Sequence, residues 1–62
     1  MAARDMFESF IGALPERDRE MLRELIGVRR EDMLAARSEE ARVRAAEEFI
    51  REARTSLKVQ KK

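Results

Sequence analysis

The segment from Ser38 to Leu57 carries apolar side chains at helical spacing, and this pattern constrains the fold more than any other feature of the chain. At 100° per residue the apolar positions fall within an arc of about 120°. They are Val43, Ala46, Phe49, Ile50, Ala53 and Leu57. Ser38 is a favourable N-cap, and Glu39 and Glu40 place negative charge at the positive end of the helix dipole. The segment therefore predicts an amphipathic helix over about residues 39–57 that packs one face against other helices.

A second apolar stripe lies near the N-terminus. It follows the helical period and consists of Met6, Phe7, Phe10, Ile11 and Leu14. Pro15 disfavours helix at the residue before it and suits the first turn of the next helix. The pattern predicts a first helix over about residues 4–13 and a second that begins near Glu16.

The end of this middle helix decides the architecture, and the sequence offers three alternatives. A break at Arg37–Ser38 would place a basic residue at one helix end and an N-cap at the next. A break at Gly27 would use glycine as the residue that follows a helix C-terminus. One long bent helix would keep the glycine inside, at a cost of about 1 kcal/mol relative to alanine. We favour the break at Ser38, because the resulting helices over 16–36 and 39–57 match in length as partners in a hairpin.

A chain of 62 residues forms one domain at most. Such a chain buries only about 60% of its unfolded surface, so its core normally needs a supplement. The absence of cysteine excludes disulfides, and the absence of histidine disfavours a structural zinc site. We predict an all-α protein of two or three helices, about 4–13, 16–36 and 39–57, forming a helical hairpin or bundle completed by a second copy. Residues 1–57 form this domain, and residues 58–62 form a disordered basic tail.

The side chains that usually carry catalysis are absent or poorly placed. The chain has no histidine, no cysteine and no glycine-rich phosphate loop. The carboxylate pairs Glu39–Glu40 and Glu47–Glu48 are adjacent in sequence, so they diverge by about 100° on a helix and cannot form a shared dyad. We predict that the protein is not an enzyme and has no catalytic residues, no metal site and no cofactor.

The large apolar residues are unevenly distributed along the chain, and most of them precede residue 35. A monomeric hairpin would leave part of this surface uncovered, and contiguous exposed apolar surface usually marks an interaction site. We predict a small non-enzymatic protein that acts through protein–protein interaction, as a homodimeric helical bundle or with another helical protein, in an adaptor or regulatory role. The interface candidates are Phe7, Phe10, Met33, Val43, Phe49, Ile50 and Leu57.

The basic C-terminal end supports a different interpretation, that of a nucleic-acid-associated transcriptional regulator. Four basic residues stand without an acid after Glu52, and they are Arg54, Lys58, Lys61 and Lys62. Positive charge at reachable spacing suffices for phosphate contacts. However, Glu47, Glu48 and Glu52 lie among the basic residues of the last helix and would repel phosphate. Nucleic-acid binding is therefore the alternative and not the favoured function.

The sequence predicts no association with a membrane. No apolar run approaches the ~20 residues of a membrane-spanning helix. The N-terminus lacks the apolar core of a signal peptide. We expect a cytoplasmic protein, and the preference for arginine over lysine is typical of a GC-rich bacterial genome.

Overall fold

The computed structural model describes residues 2–60, which form four helices and no strand. The helices are α1 (Ala3–Ala13), α2 (Glu16–Met21), α3 (Arg23–Ala35) and α4 (Glu39–Gln60). Helix α4 packs against both α1 and α3, whereas α2 is a short connection between them with no buried residue. The all-α class predicted from the sequence is confirmed.

Helices α1 and α4 run in the same direction. At their starts, the backbone N–H of Ala3 donates a hydrogen bond to Glu39 Oε2 at 2.6 Å. Further along both helices, the guanidinium of Arg54 lies over the ring of Phe10, 5.9 Å from its centroid. Because the residue numbers of the contacting pairs increase along both helices, the two helices are parallel.

Helix α3 runs antiparallel to α4. The guanidinium of Arg29 on α3 donates a hydrogen bond to the carboxylate of Glu52 on α4. Leu25, one turn before Arg29, lines a depression together with Ser56, which lies one turn after Glu52. The contacting residues on α3 thus come earlier in the sequence as those on α4 come later. The helices α1, α3 and α4 form an up-down-up three-helix bundle, with overall dimensions of 38 × 17 × 16 Å.

The core consists of side chains from all three helices of the bundle. The rings of Phe7 and Phe49 stack with their centroids 4.2 Å apart, and Phe10 meets Phe49 edge-on at 5.6 Å. Aromatic pairs of this geometry contribute about 0.5–1.5 kcal/mol beyond the area they bury. The remaining buried residues are Ala3, Leu22, Ile26, Met33, Ala46 and Ala53.

The turn between α3 and α4 occurs at Ser38, as favoured from the sequence, and not at Gly27. Helix α3 continues through Gly27 and ends at Ala35. The hydroxyl oxygen of Ser38 accepts a hydrogen bond from the backbone N–H of Ala41 at 3.1 Å, which is the bond of an N-cap to the third residue of its helix. The predicted break and its cap are both confirmed.

Two helix boundaries differ from the prediction. The predicted helix over 16–36 is interrupted at Leu22, whose backbone (φ −98°, ψ 10°) leaves the helical region while its side chain is buried in the core. Helix α4 continues to Gln60, so Lys58 and Val59 are helical and not part of a disordered tail. A cation in the last helical turn is stabilised by the helix dipole, which favours this extension. Lys61 and Lys62 of the predicted tail lie outside the described residues.

Helix α1 takes its N-terminal cap from α4. The N-cap residue is Ala2, which has no side chain able to accept a hydrogen bond, and the carboxylate of Glu39 accepts the first N–H instead. This bond holds the pKa of Glu39 below its ordinary value, and Arg42 contributes in the same direction. Because the charged carboxylate makes the bond, the link between α1 and α4 weakens as pH falls through the lowered pKa.

Replacement of Gly27 by alanine is expected to stabilise the protein by up to about 1 kcal/mol, because Gly27 lies inside α3 and alanine is the better helix former. A Cβ at this position meets no atom within 4 Å, and the described residues include no glycine with positive φ. Urea denaturation followed by far-UV circular dichroism measures the change. Gly12→Ala, also in open space but next to the end of α1, is the matched control with a smaller expected gain. A loss of stability in Gly27→Ala would contradict the assignment.

Candidate interaction surface

The predicted interface residues lie in or beside the core of the chain itself. Phe7, Met33 and Phe49 are at most 1% exposed. The others are partly buried and pack against the same core, namely Phe10, Val43, Ile50 and Leu57. The apolar half that covers the stripe of α4 comes from the same chain. Ile50 also lines an open depression on α4, so part of its side chain stays accessible to a partner.

Apolar side chains that remain exposed include two that lie one helical turn from residues lining the groove between α3 and α4. Val28 is 55% exposed and lies one turn after Leu25 on α3, and Val59 is 70% exposed and lies one turn after Ser56 on α4. Residues three apart on a helix are surface neighbours. We refer to the surface formed by Leu25, Val28, Thr55, Ser56 and Val59 as the α3–α4 face. None of these residues was an interface candidate in the sequence analysis.

The floor of the α3–α4 face is an open depression of about 400 Å³ beside a bidentate ion pair. Arg29 donates from Nε and Nη2 to the two carboxylate oxygens of Glu52, both at 3.0 Å. Its Nη1 donates to Asp32 Oδ2 at 3.0 Å, and these bonds raise the pKa of the guanidinium above its ordinary value. Bidentate geometry fixes both partners in orientation as well as distance. The pair therefore marks the register of α3 on α4.

On the α3 side, the face is bordered by an acidic row. Glu24 and Glu31 are exposed on either side of Val28, and they line an open depression of about 410 Å³ together with Arg23 and Gly27. In the part of the chain that the structure describes, no cation lies within ion-pair distance of Glu24 or Glu31. Both carboxylates are therefore available to an external cation.

On the α4 side, the face is bordered by a basic row. Arg51 and Lys58 are exposed on the outer side of α4 and line a depression of about 640 Å³. Glu47, Ile50 and Arg54 also line this depression, and the guanidinium of Arg54 lies towards α1, over the ring of Phe10. Within residues 2–60, none of the three cations is in an ion pair. The α3–α4 face thus has an apolar centre, an acidic margin on α3 and a basic margin on α4.

The structure brings two of the four predicted nucleic-acid residues together and adds one that the sequence analysis missed. Arg54 and Lys58 line one depression on α4 with Arg51. Glu52, which was expected to repel phosphate there, points towards α3, and its carboxylate accepts a hydrogen bond from Arg29. The different directions of Glu52 and Arg51 follow from helical spacing, because consecutive residues are 100° apart around the helix axis. Lys61 and Lys62 lie outside the described residues.

None of the described helices is both long and apolar enough to cross a membrane. No group of three or more acidic side chains within residues 2–60 could hold a metal ion. Comparison with known proteins found no matching family model, no similar curated protein and no similar solved structure.

Proposed function

We propose that this is a small non-enzymatic protein that acts through protein–protein interaction, as a homodimer of helical bundles in an adaptor or regulatory role. The observation that carries the proposal is the exposure of Val28 and Val59 beside half-buried Leu25, at the α3–α4 face. The chain buries most of its larger apolar residues in its own core, and two of the apolar side chains that stay exposed, Val28 and Val59, lie at this face; Met21 and Leu34 are also exposed. Exposed apolar surface rimmed by polar residues usually marks an interaction site.

The size of the chain supports the same proposal. A core of this size supplies only about 3–5 kcal/mol of net stability, and the chain has no cysteine to form a disulfide. Apolar surface removed from water contributes about 25 cal/mol per Å². Burial of the α3–α4 face against a second copy therefore adds stability that the single bundle lacks, and it couples folding to association.

Sedimentation equilibrium over the micromolar range tests the proposal with a matched pair of variants. Val28→Lys places a charge in the α3–α4 face and is expected to shift the protein towards monomer. Leu34→Lys is the control, because Leu34 is 53% exposed on the same helix, close to the 55% of Val28, but lies about 120° away around the axis. A wild-type protein that remains a folded monomer at every concentration would reject self-association.

A nucleic-acid-associated regulator is the second candidate, and a specific observation favours it. Because Glu52 accepts hydrogen bonds from Arg29 on α3, it is withdrawn from the depression on α4 that Arg51, Arg54 and Lys58 line together with Glu47. Three phosphate contacts would give a slope of about −3 in log binding constant against log salt concentration. A duplex-binding titration measures this slope, and absence of binding at ~50 mM salt would reject this function.

A further inference from the structure

We infer that two copies associate through the α3–α4 face about a two-fold axis parallel to the helices, with α3 of each protomer against α4 of its partner. This inference rests on the proposed homodimer and specifies its geometry. It follows from the charge on the two margins of the face and from the register of α3 on α4. The occupant of the face is thus a second copy of this chain.

The charge distribution selects one of two possible rotations. When two identical faces meet by a two-fold rotation, the axis lies in the plane of contact, so the face must be complementary to itself. An axis perpendicular to the helices would bring the acidic margin against the acidic margin and the basic against the basic. An axis parallel to the helices exchanges the two margins, so each acidic row meets a basic row. Like charges across an interface are costly, which leaves the parallel axis.

The register of the bundle brings specific charges to the same height. Arg29 and Glu52 lie at one level, since they form a bidentate pair. Counting equal rises along the antiparallel helices places Glu31 level with residue 50, one residue from Arg51. The same counting places Glu24 level with residue 57, one residue from Lys58.

These levels are kept in the dimer, because a rotation about an axis parallel to the helices leaves height unchanged. Glu31 of one protomer therefore faces the partner's Arg51, and Glu24 faces the partner's Lys58. Each dimer contains both pairs twice. Between them, Leu25, Val28 and Val59 meet the same surface of the second copy. Asp32 and Glu52, which lie near the axis, are already bonded to Arg29 within each protomer, which reduces their mutual repulsion. Glu48 lies one turn before Glu52 on the same side of α4 and has Arg51 as its neighbour three residues on.

A charge-reversal cycle on Glu31 and Arg51 tests this geometry. Both residues are exposed in the middle of their helices and take part in no ion pair within residues 2–60, so the bundle itself should tolerate the changes. Glu31→Arg and Arg51→Glu each turn two attractions per dimer into two repulsions. In sedimentation equilibrium at low salt, each single variant is expected to weaken self-association by about tenfold. The double variant restores both attractions and is expected to regain affinity to within about threefold of the wild type.

An equimolar mixture of the two single variants provides a second reading, because their heterodimer contains two attractive pairs and should form in preference to either homodimer. Arg4→Glu is the control, since it reverses an exposed charge on α1, which packs elsewhere on α4. Far-UV circular dichroism at dilutions where the protein is monomeric verifies that each variant folds. Glu24→Lys, Lys58→Glu and their combination repeat the cycle at the other end of the face.

The outcomes separate the geometry from the proposed function. Single variants that dimerise as strongly as the wild type would overturn the parallel axis, while the Val28→Lys comparison still reports on the homodimer itself. A double variant that stays as weak as the single variants would overturn the pairing of Glu31 with Arg51. A wild-type protein that is monomeric throughout would overturn both the geometry and the homodimer.

Discussion

Replacement of Phe49 by alanine is expected to unfold most of the protein at room temperature. The Phe49 ring has no exposed surface, stacks on Phe7 and receives the edge of Phe10, so it joins α4 to α1 at the centre of the core. Deletion of a buried phenylalanine ring costs about 3–5 kcal/mol. A helical domain of this size has about 3–5 kcal/mol in total. The substitution therefore removes a free energy comparable to the whole stability.

Helicity measured by far-UV circular dichroism in water and in urea tests this prediction. Phe49→Leu retains much of the buried volume, so it should stay folded and give a measurable intermediate loss. Arg44→Ala, at an exposed position of the same helix outside the α3–α4 face, is the control and should change the unfolding free energy by no more than about 0.5 kcal/mol. A loss of less than about 1 kcal/mol in Phe49→Ala would mean that the ring does not fill the core.

The local structure was predictable because it depends on neighbours in sequence. The apolar stripe of α4 is visible as a helical period, and every member of it is buried or half-buried in the bundle. Ser38 shows its capping role through the side-chain oxygen alone, and the structure contains the corresponding bond to Ala41. Even the competing break at Gly27 was a local question, and the structure resolves it in favour of Ser38.

The covering of the apolar surface was not predictable in the same way, because it depends on which helices meet. In a two-helix hairpin, the apolar residues before residue 35 would outnumber those available to cover them, and this excess predicted a partner. In the bundle, α1 packs against α4 and brings Phe7 and Phe10 onto Phe49, so the chain absorbs most of that surplus itself. The apolar residues that remain exposed, such as Val28 and Val59, lie outside the stripes of highest hydrophobicity.

The charged part of the candidate surface illustrates the same limit. Arg29 interrupts the apolar stripe of α3, which is a sign that it has a partner on another helix. Identification of that partner as Glu52, 23 residues away, requires the relative position of α3 and α4. The ion pair between Arg29 and Glu52 has two consequences for the charges of the α3–α4 face. Glu52 is withdrawn from the basic row of α4, and Glu31 is brought level with Arg51 across the α3–α4 face.

The small residues in the seam of α4 lead to the second large expected effect, a loss of about 1–3 kcal/mol in Ala53→Leu. Ala53 has no exposed surface and lies in the core with Phe49 and Ala46, where α4 meets the other helices. Alanine at this position lets the helix backbones approach closely. A leucine side chain there must push the helices apart or adopt a strained rotamer, and both cost free energy in a close-packed interior.

The sign of this effect distinguishes packing from hydrophobicity. Leucine is more apolar than alanine and nearly as good a helix former, so an unfilled site would be stabilised by the change. Ala41→Leu makes the same chemical change at an exposed position of α4 and should alter the unfolding free energy by at most about 0.5 kcal/mol. Urea denaturation of both variants provides the comparison. Equal stability of the two would mean that α4 does not approach its neighbours at Ala53, whereas a selective loss in Ala53→Leu shows that the seam is closed by small side chains.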